Sequence, residues 1–188
     1  VVIGGGMGRE LETLEFIRRF LMRLETPAVV DADAIYAAQD DEGIQELAEL
    51  EMFEEKDFIL TPHDYEYYVL MGRELAESGP ERLEDVEEAA RAIEIIMLQK
   101  GNPDIISDGV ETWINNTGNP YMTVGGTGDT LAGLCGAYLA FALDPITAAS
   151  AASYVNGRAG DLAATDLGAA LLASDLLAYI PTVIKRKS

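Results

Sequence analysis

The sequence predicts an α/β fold with a mostly parallel central sheet, and three observations carry that prediction. Short apolar runs recur along the chain, each closed by glycine, proline or an acid, as fully buried parallel strands are. Between them lie longer stretches whose apolar residues repeat at helical spacing. The glycine-rich and acidic segments fall where a strand ends and a helix begins, which is where open α/β sheets bind ligands. A length of 188 residues suits one domain, so residues 1–188 read as a single unit.

In chain order, residues 1–3 (Val-Val-Ile) read as a buried strand with neither an initiator methionine nor a turn before it, as if the chain began inside a domain. The loop Gly4-Gly5-Gly6-Met7-Gly8 follows, and Leu11, Leu14, Ile17, Leu21 and Leu24 then mark one helical face. Pro27 ends that helix, and Ala28-Val29-Val30 forms a second strand running into Asp31-Ala32-Asp33-Ala34. This is a βαβ unit of ordinary size. A dinucleotide-binding fingerprint would need a third glycine where Arg9 stands, so that reading fails. The glycines at 4–8 serve either a close ligand or a plain turn. Asp31 and Asp33 are either caps or groups that position Mg²⁺ through water.

Residues 40–50 read as an acidic amphipathic helix, and Phe58-Ile59-Leu60 as a short strand. Pro62 disfavours helix at Thr61 and starts one just beyond, so Thr61-Pro62-His63-Asp64-Tyr65-Glu66 sits at a strand's carboxyl end. After Gly79-Pro80, residues 83–92 form an acidic helix and 93–98 a buried strand, leading into Gln99-Lys100-Gly101-Asn102-Pro103-Asp104. Residues 105–107 and 112–115, joined through Asp108-Gly109, form a hairpin. Residues 127–141 form a Gly/Ala-rich helix and 146–164 another, opened by Pro145, with Arg158 and Asp161 paired across one turn. Ser174 caps the last helix, and Lys185-Arg186-Lys187 ends the chain as a solvated basic tail.

Chemistry concentrates at 116–133, where Asn116-Thr117-Gly118-Asn119-Pro120 and Gly125-Gly126-Thr127-Gly128-Asp129 precede the Ala-rich helix. The first turn of a helix offers unpaired N–H groups and the positive end of its dipole. Gly126, Thr127 and Gly128 therefore read as an anion cradle, with Asp129 as a base beside it. Glycine turns also begin ordinary helices, and that alternative stands on pattern alone.

Composition narrows the partners. A formal charge of −20 repels phosphate backbones and argues against nucleic acid. No apolar run reaches the roughly 18 residues of a membrane span, and no secretory leader is evident. Cys135 is the one cysteine, allows no internal disulfide, and reads as a small core residue suited to a reducing cytoplasm. Lysine occurs only at 56, 100, 185 and 187, so a nucleotide would be held largely by helix termini, a rare lysine and Mg²⁺.

These motifs, in this order, resemble the ADP/ATP-dependent NAD(P)H-hydrate dehydratases of the ribokinase-like superfamily. The glycine loop, Asp-Ala-Asp-Ala, Thr-Pro-His-x-x-Glu, Lys-Gly, Asn-Thr-Gly-Asn-Pro with Gly-Gly-Thr-Gly-Asp, and Ala-Ser-Asp-Leu-Leu carry the resemblance along nearly the whole chain. It implies a three-layer α/β/α fold of which an N-terminal segment is absent from this chain. It also implies repair of hydrated NADH and NADPH (NADHX, NADPHX) with ADP or ATP and Mg²⁺, and self-association. The resemblance assigns substrate contacts to Gly6, Gly8, His63, Asn119 and Asp129. Nucleotide contacts fall to Lys100, Gly101, Asn102, Pro103, Asp104 and Gly128, with catalysis at Gly126 to Asp129. Tyr121 stands where glycine is usual and Asn156 where histidine is common, and the residues after Lys100 also depart from the family pattern. A vitamin or sugar kinase of the same superfamily and a non-catalytic nucleotide-binding subunit are the alternative readings.

Overall fold

The computed structural model describes residues 1–38 and 56–185. The helix expected at 40–50 lies outside them, as do the last residues of the basic tail. Among the described residues six strands form one sheet in sequence order: β1 (Val2–Ile3), β2 (Ala28–Val30), β3 (Phe58–Leu60), β4 (Ile96–Gln99), β5 (Asp104–Ser107) and β6 (Thr112–Asn115). The pairs β1–β2, β2–β3 and β3–β4 are parallel, whereas β4–β5 and β5–β6 are antiparallel. The parallel half needs crossovers, which the helical stretches supply. The antiparallel half needs only the Asp108-Gly109 turn, where Asp108 Oδ1 accepts from the N–H groups of Val110 and Glu111 at 2.8 and 2.6 Å.

Alternation along each strand divides the molecule into layers. Ala28, Val30, Phe58, Leu60, Met97 and Ile105 face one side, against α1 (Leu11–Arg23), α2 (Asp64–Met71) and α3 (Pro80–Ile93). Val29, Ile59, Leu98 and Ile106 face the other, against α4 (Thr127–Ala140) and α5 (Pro145–Leu167). Helix α6 (Leu176–Ile184) packs on α5 through a smaller cluster that includes Leu171, Leu176 and Ala163. Cys135 lies fully buried in the α4 layer.

Three details differ from the sequence expectation. Ile93 closes α3 rather than opening β4, because it is at the buried end of that helix's apolar stripe. Val2 is 48% exposed, since β1 pairs on one side only. Ser174 does not cap the last helix. Residues Ala173–Asp175 form a 3₁₀ turn in which Asp175 Oδ2 accepts from the Leu172 N–H at 2.8 Å, and α6 starts after it. Among the described residues no helix is long and apolar enough to cross a membrane.

Candidate active site

The carboxyl ends of β1 to β4 and the N-terminus of α4 converge on one side of the molecule. Gly126 caps α4 with φ +99°, a conformation that only glycine adopts cheaply. Thr127 then locks the turn, its hydroxyl donating to the carbonyls of Met122 and Val124 at 2.9 and 3.0 Å. In the first turn the Thr127 N–H donates to the Val124 carbonyl at 3.5 Å and the Thr130 N–H to the Gly126 carbonyl at 3.1 Å, which leaves the Gly128 and Asp129 amides ahead of any intrahelical acceptor. Gly126, Thr127 and Gly128 form the cleft side of the turn. They border a cleft of about 760 Å³, walled by Lys100, Gly101, Asn102 and Asp104 on one side and by 117–120 and Asn156-Gly157 on others.

Asp129 sits in the first turn of α4 but lines a different cavity, of about 330 Å³, with Gly4, Gly5, Met7 and Asp31. Its side chain is exposed and, among the described residues, makes no hydrogen bond or ion pair. A Cβ built on Gly5 would stand 3.1 Å from Asp129 Oδ1, so the glycine loop lets this carboxylate come close. The amides of α4 thus face one cavity while the carboxylate of the same turn borders another.

Lys100 supplies fixed positive charge between them. Its Nζ is 2.9 Å from Asp31 Oδ1 and 3.4 Å from Glu66 Oε2, and a Cβ on Gly128 would lie 3.7 Å from it. Asp31 is 4% exposed and also accepts from the Thr61 hydroxyl at 2.7 Å, which ties the ends of β2, β3 and β4 together. Glu66 is buried and closes a capping box on α2: its Oε2 accepts from the His63 N–H at 2.9 Å, while His63 Nδ1 accepts from the Glu66 N–H at 3.2 Å. The His63 ring lines the larger cleft with half its surface exposed.

Several residues singled out from sequence have their side chains committed elsewhere. Asn119 lines the larger cleft, yet its Oδ1 accepts from the Tyr121 N–H at 3.1 Å and its Nδ2 donates to Asp161 at 3.3 Å, so its amide holds the loop together. Asp104 accepts from the Gly101 N–H at 2.9 Å, the Ser153 hydroxyl at 2.7 Å and Asn115 at 3.4 Å. Burial pushes its pKa above the ordinary range against those bonds. It fastens the Lys100–Asp104 loop, whose Asn102–Pro103 bond is cis, to β6 and α5. Pro103 is not among the residues lining the larger cleft. Asp33 accepts from Arg9 at 2.6 Å on one oxygen and from the Gly8 N–H at 3.0 Å on the other. Burial raises its pKa, but Arg9 and the Gly8 amide outweigh that and hold it below the usual carboxylate value. Gly4 and Gly5, rather than Gly6 and Gly8, line the smaller cavity. The expected Arg158–Asp161 pair forms, at 2.8 Å.

Sequence reasoning did not single out Glu66 or Thr61 as parts of the Lys100 network. The signal for Glu66 was present as a cap-position His63 with an acid three residues on. Thr61 had none, because its partner Asp31 is thirty residues away and meets it only through strand pairing.

A family described as NAD(P)H-hydrate dehydratase matches residues 1–182. The chain is 43% identical over 188 residues to a bifunctional NAD(P)H-hydrate repair enzyme of Pyrobaculum aerophilum, spanning 99% of this chain and 35% of that protein. It is 36% identical over 180 residues to an ADP-dependent (S)-NAD(P)H-hydrate dehydratase of Cenarchaeum symbiosum, spanning 96% of this chain and 60% of that protein. Among solved structures, the ADP/ATP-dependent NAD(P)H-hydrate dehydratase of Bacillus subtilis, co-crystallised with ATP and Mg²⁺, superposes with a TM-score of 0.79 at 30% identity, over 97% of this chain and 62% of that one. The chain therefore spans about a third to three fifths of the curated relatives named here. With the six-stranded, mostly parallel sheet and the glycine-led helix already in place, this likeness along nearly all of the chain makes it a member of the NAD(P)H-hydrate dehydratase family, with a ribokinase-like α/β/α fold.

Proposed function

We propose that this chain carries out the ADP- or ATP-dependent dehydration of hydrated NADH and NADPH back to the active cofactors. The observation that carries the reading is the position of Asp129, an unpartnered carboxylate on the turn whose amides border a second cavity. In this reading the larger cleft takes the adenine nucleotide and the smaller cavity the hydrated nicotinamide ring.

The chemistry follows from the leaving group. Hydroxide leaves a ring carbon poorly. Asp129 accepts the proton of the C6 hydroxyl as its oxygen attacks the terminal phosphoryl of the donor, leaving AMP from ADP or ADP from ATP. Charge on the transferring phosphoryl is met by the amides of Gly126 to Gly128 and by Lys100 Nζ. The ring nitrogen lone pair then expels phosphate from C6, and loss of a proton from the neighbouring carbon restores the ring double bond. Asp31 and Glu66 keep Lys100 beside Gly128 rather than free in solvent. Among the described residues no group of three or more His, Cys, Asp or Glu could hold a metal, and both oxygens of Asp33 are engaged. That donor set does not fit a protein-held magnesium ion; the ion would arrive on the nucleotide phosphates.

Asp129→Asn is the direct test. The variant keeps its thermal midpoint and nucleotide affinity but loses turnover by about 10²-fold or more. Absorbance of the reduced cofactor and released phosphate are followed together. Unchanged turnover discards the base assignment, and a stable phosphoester product discards dehydration in favour of a small-molecule kinase. We also propose a cytoplasmic location, supported by the buried free thiol of Cys135 and the reduced-cofactor substrate. Self-association is proposed on the exposed Trp113 and Ile114 of the edge strand β6, and sedimentation checks it.

A further inference from the structure

Helix α1 has two faces of opposite character. Ile17 and Leu21 are fully buried in the core. Around the helix from them, Glu12, Glu15, Phe16, Arg19, Phe20 and Arg23 line a shallow groove of about 460 Å³. Their spacing, in steps of three and four, puts them along one face. Phe16 is 56% exposed and stacks on Phe20 with ring centroids 6.0 Å apart. Within the protomer Arg19 bonds Glu15 at 2.9 Å, whereas Glu12 and Arg23 are exposed and, among the described residues, make no ion pair.

The order of charges along this face says what it fits. Both acids lie in its N-terminal half and both bases in its C-terminal half. Acid early and base late also suits the helix's own dipole, but the dipole gives no reason to leave an aromatic ring in water. A two-fold axis beside the helix supplies one, because it lays a second copy of α1 antiparallel to the first. Glu12 then faces Arg23 of the second copy and Arg19 lies over its Phe16, each contact occurring twice. The whole chain carries a formal charge of −20 and so repels a second copy of itself. This face is balanced, two acids against two bases, and adds nothing to that repulsion.

We propose that the outer face of α1 is an isologous contact between two copies of this chain, paired antiparallel through Phe16 and the charges of Glu12 and Arg23. It is a different surface from the β6 edge. Helix α1 joins β1 to β2, at the other end of the strand order from β6. A chain that uses both contacts assembles beyond a dimer.

The experiment is sedimentation equilibrium of the full-length protein at low salt, in a Trp113→Lys background that removes the β6 edge as a contact. Thermal midpoints are recorded alongside. That background dimerises. Glu12→Arg and Arg23→Glu each set like charges opposite one another twice and weaken the dimer by about tenfold or more. Mixing the two single variants restores association to within about threefold, because each altered charge then meets its complement on the other copy. High salt shrinks these charge effects, while Phe16→Ala weakens the dimer at any salt. Mixing cannot repair a helix weakened by its altered dipole, so failure of the rescue between folded variants overturns the inference. So does a Trp113→Lys protein that stays a single chain at every concentration, which is also the result if another part of the same polypeptide covers the face. A dimer indifferent to both reversals and to Phe16→Ala overturns it too and moves the contact elsewhere. If lysine at position 113 disturbs the sheet, the same mixing series in the unaltered background reads the same rescue.

Discussion

The two faces of the sheet are packed by different means. On one, α1 to α3 meet the strands with large side chains, among them Ile17, Leu21, Tyr67, Leu70 and Val86, all fully buried. On the other, α4 and α5 meet them largely with small ones: Ala132, Cys135, Ala148, Ala149 and Ala152. The first face stabilises by burying apolar area. The second lets backbones come close, and closeness is what an anion site made of helix amides requires. A loop–helix wall such as Thr117 against Gly157 cannot be built with ordinary side chains, because a Cβ on Gly157 would stand 2.1 Å from Thr117 Oγ1 and 2.7 Å from its carbonyl carbon.

That contrast can be broken from either side. The largest effect belongs to the large-residue face. Phe58→Ala, at a position 1% exposed, should lower unfolding free energy by about 3–5 kcal/mol through lost burial and an unfilled cavity. Chemical denaturation measures it, and a loss well under that range would mean the face collapses readily around the gap. On the close-packed face the sign reverses, so that adding atoms is what harms. Gly157→Ala should cost about 1–3 kcal/mol and weaken nucleotide binding, since the obstruction is backbone as well as side chain. Gly133, on α4 with no atom within 4 Å of an added Cβ, is the control: alanine there should stabilise by about 0.4–1 kcal/mol and leave binding unchanged. Equal effects at the two glycines would remove the argument from close approach.

The smallest effect near neutrality is alkaline. Burial pushes both the Cys135 thiol and the Tyr67 phenol up to about 12, one on each face. Both folded values lie above the unfolded ones, about 8.5 for a thiol and 10 for a phenol. The stability they contribute is therefore complete below those unfolded values and is lost as pH rises toward the folded ones. The thermal midpoint should be flat around neutrality and begin to fall near pH 8.5–9. Cys135→Ala should delay the fall to about pH 10, where the phenol takes over. A fall that starts at the same pH in that variant would exclude the thiol as its source.

Local sequence determined the strands at Ala28–Val30 and Phe58–Leu60, the hairpin around Asp108-Gly109, and the helix that begins at Thr127. Each rests on interactions within a few residues: apolar runs, a turn dipeptide, a glycine before an acid. The same locality makes the loop at 116–129 legible as a candidate anion site, with an ordinary helix start as the alternative that its residues alone leave open. Tertiary structure alone decided which groups meet. Lys100 reaches Asp31 across sixty-nine positions, Thr61 reaches the same carboxylate, and Asn119 and Asp104 turn inward to hold loops. The reason is that propensity and periodicity are properties of neighbours in the chain, whereas whether a polar side chain is spent or spare is settled by what packing brings to it.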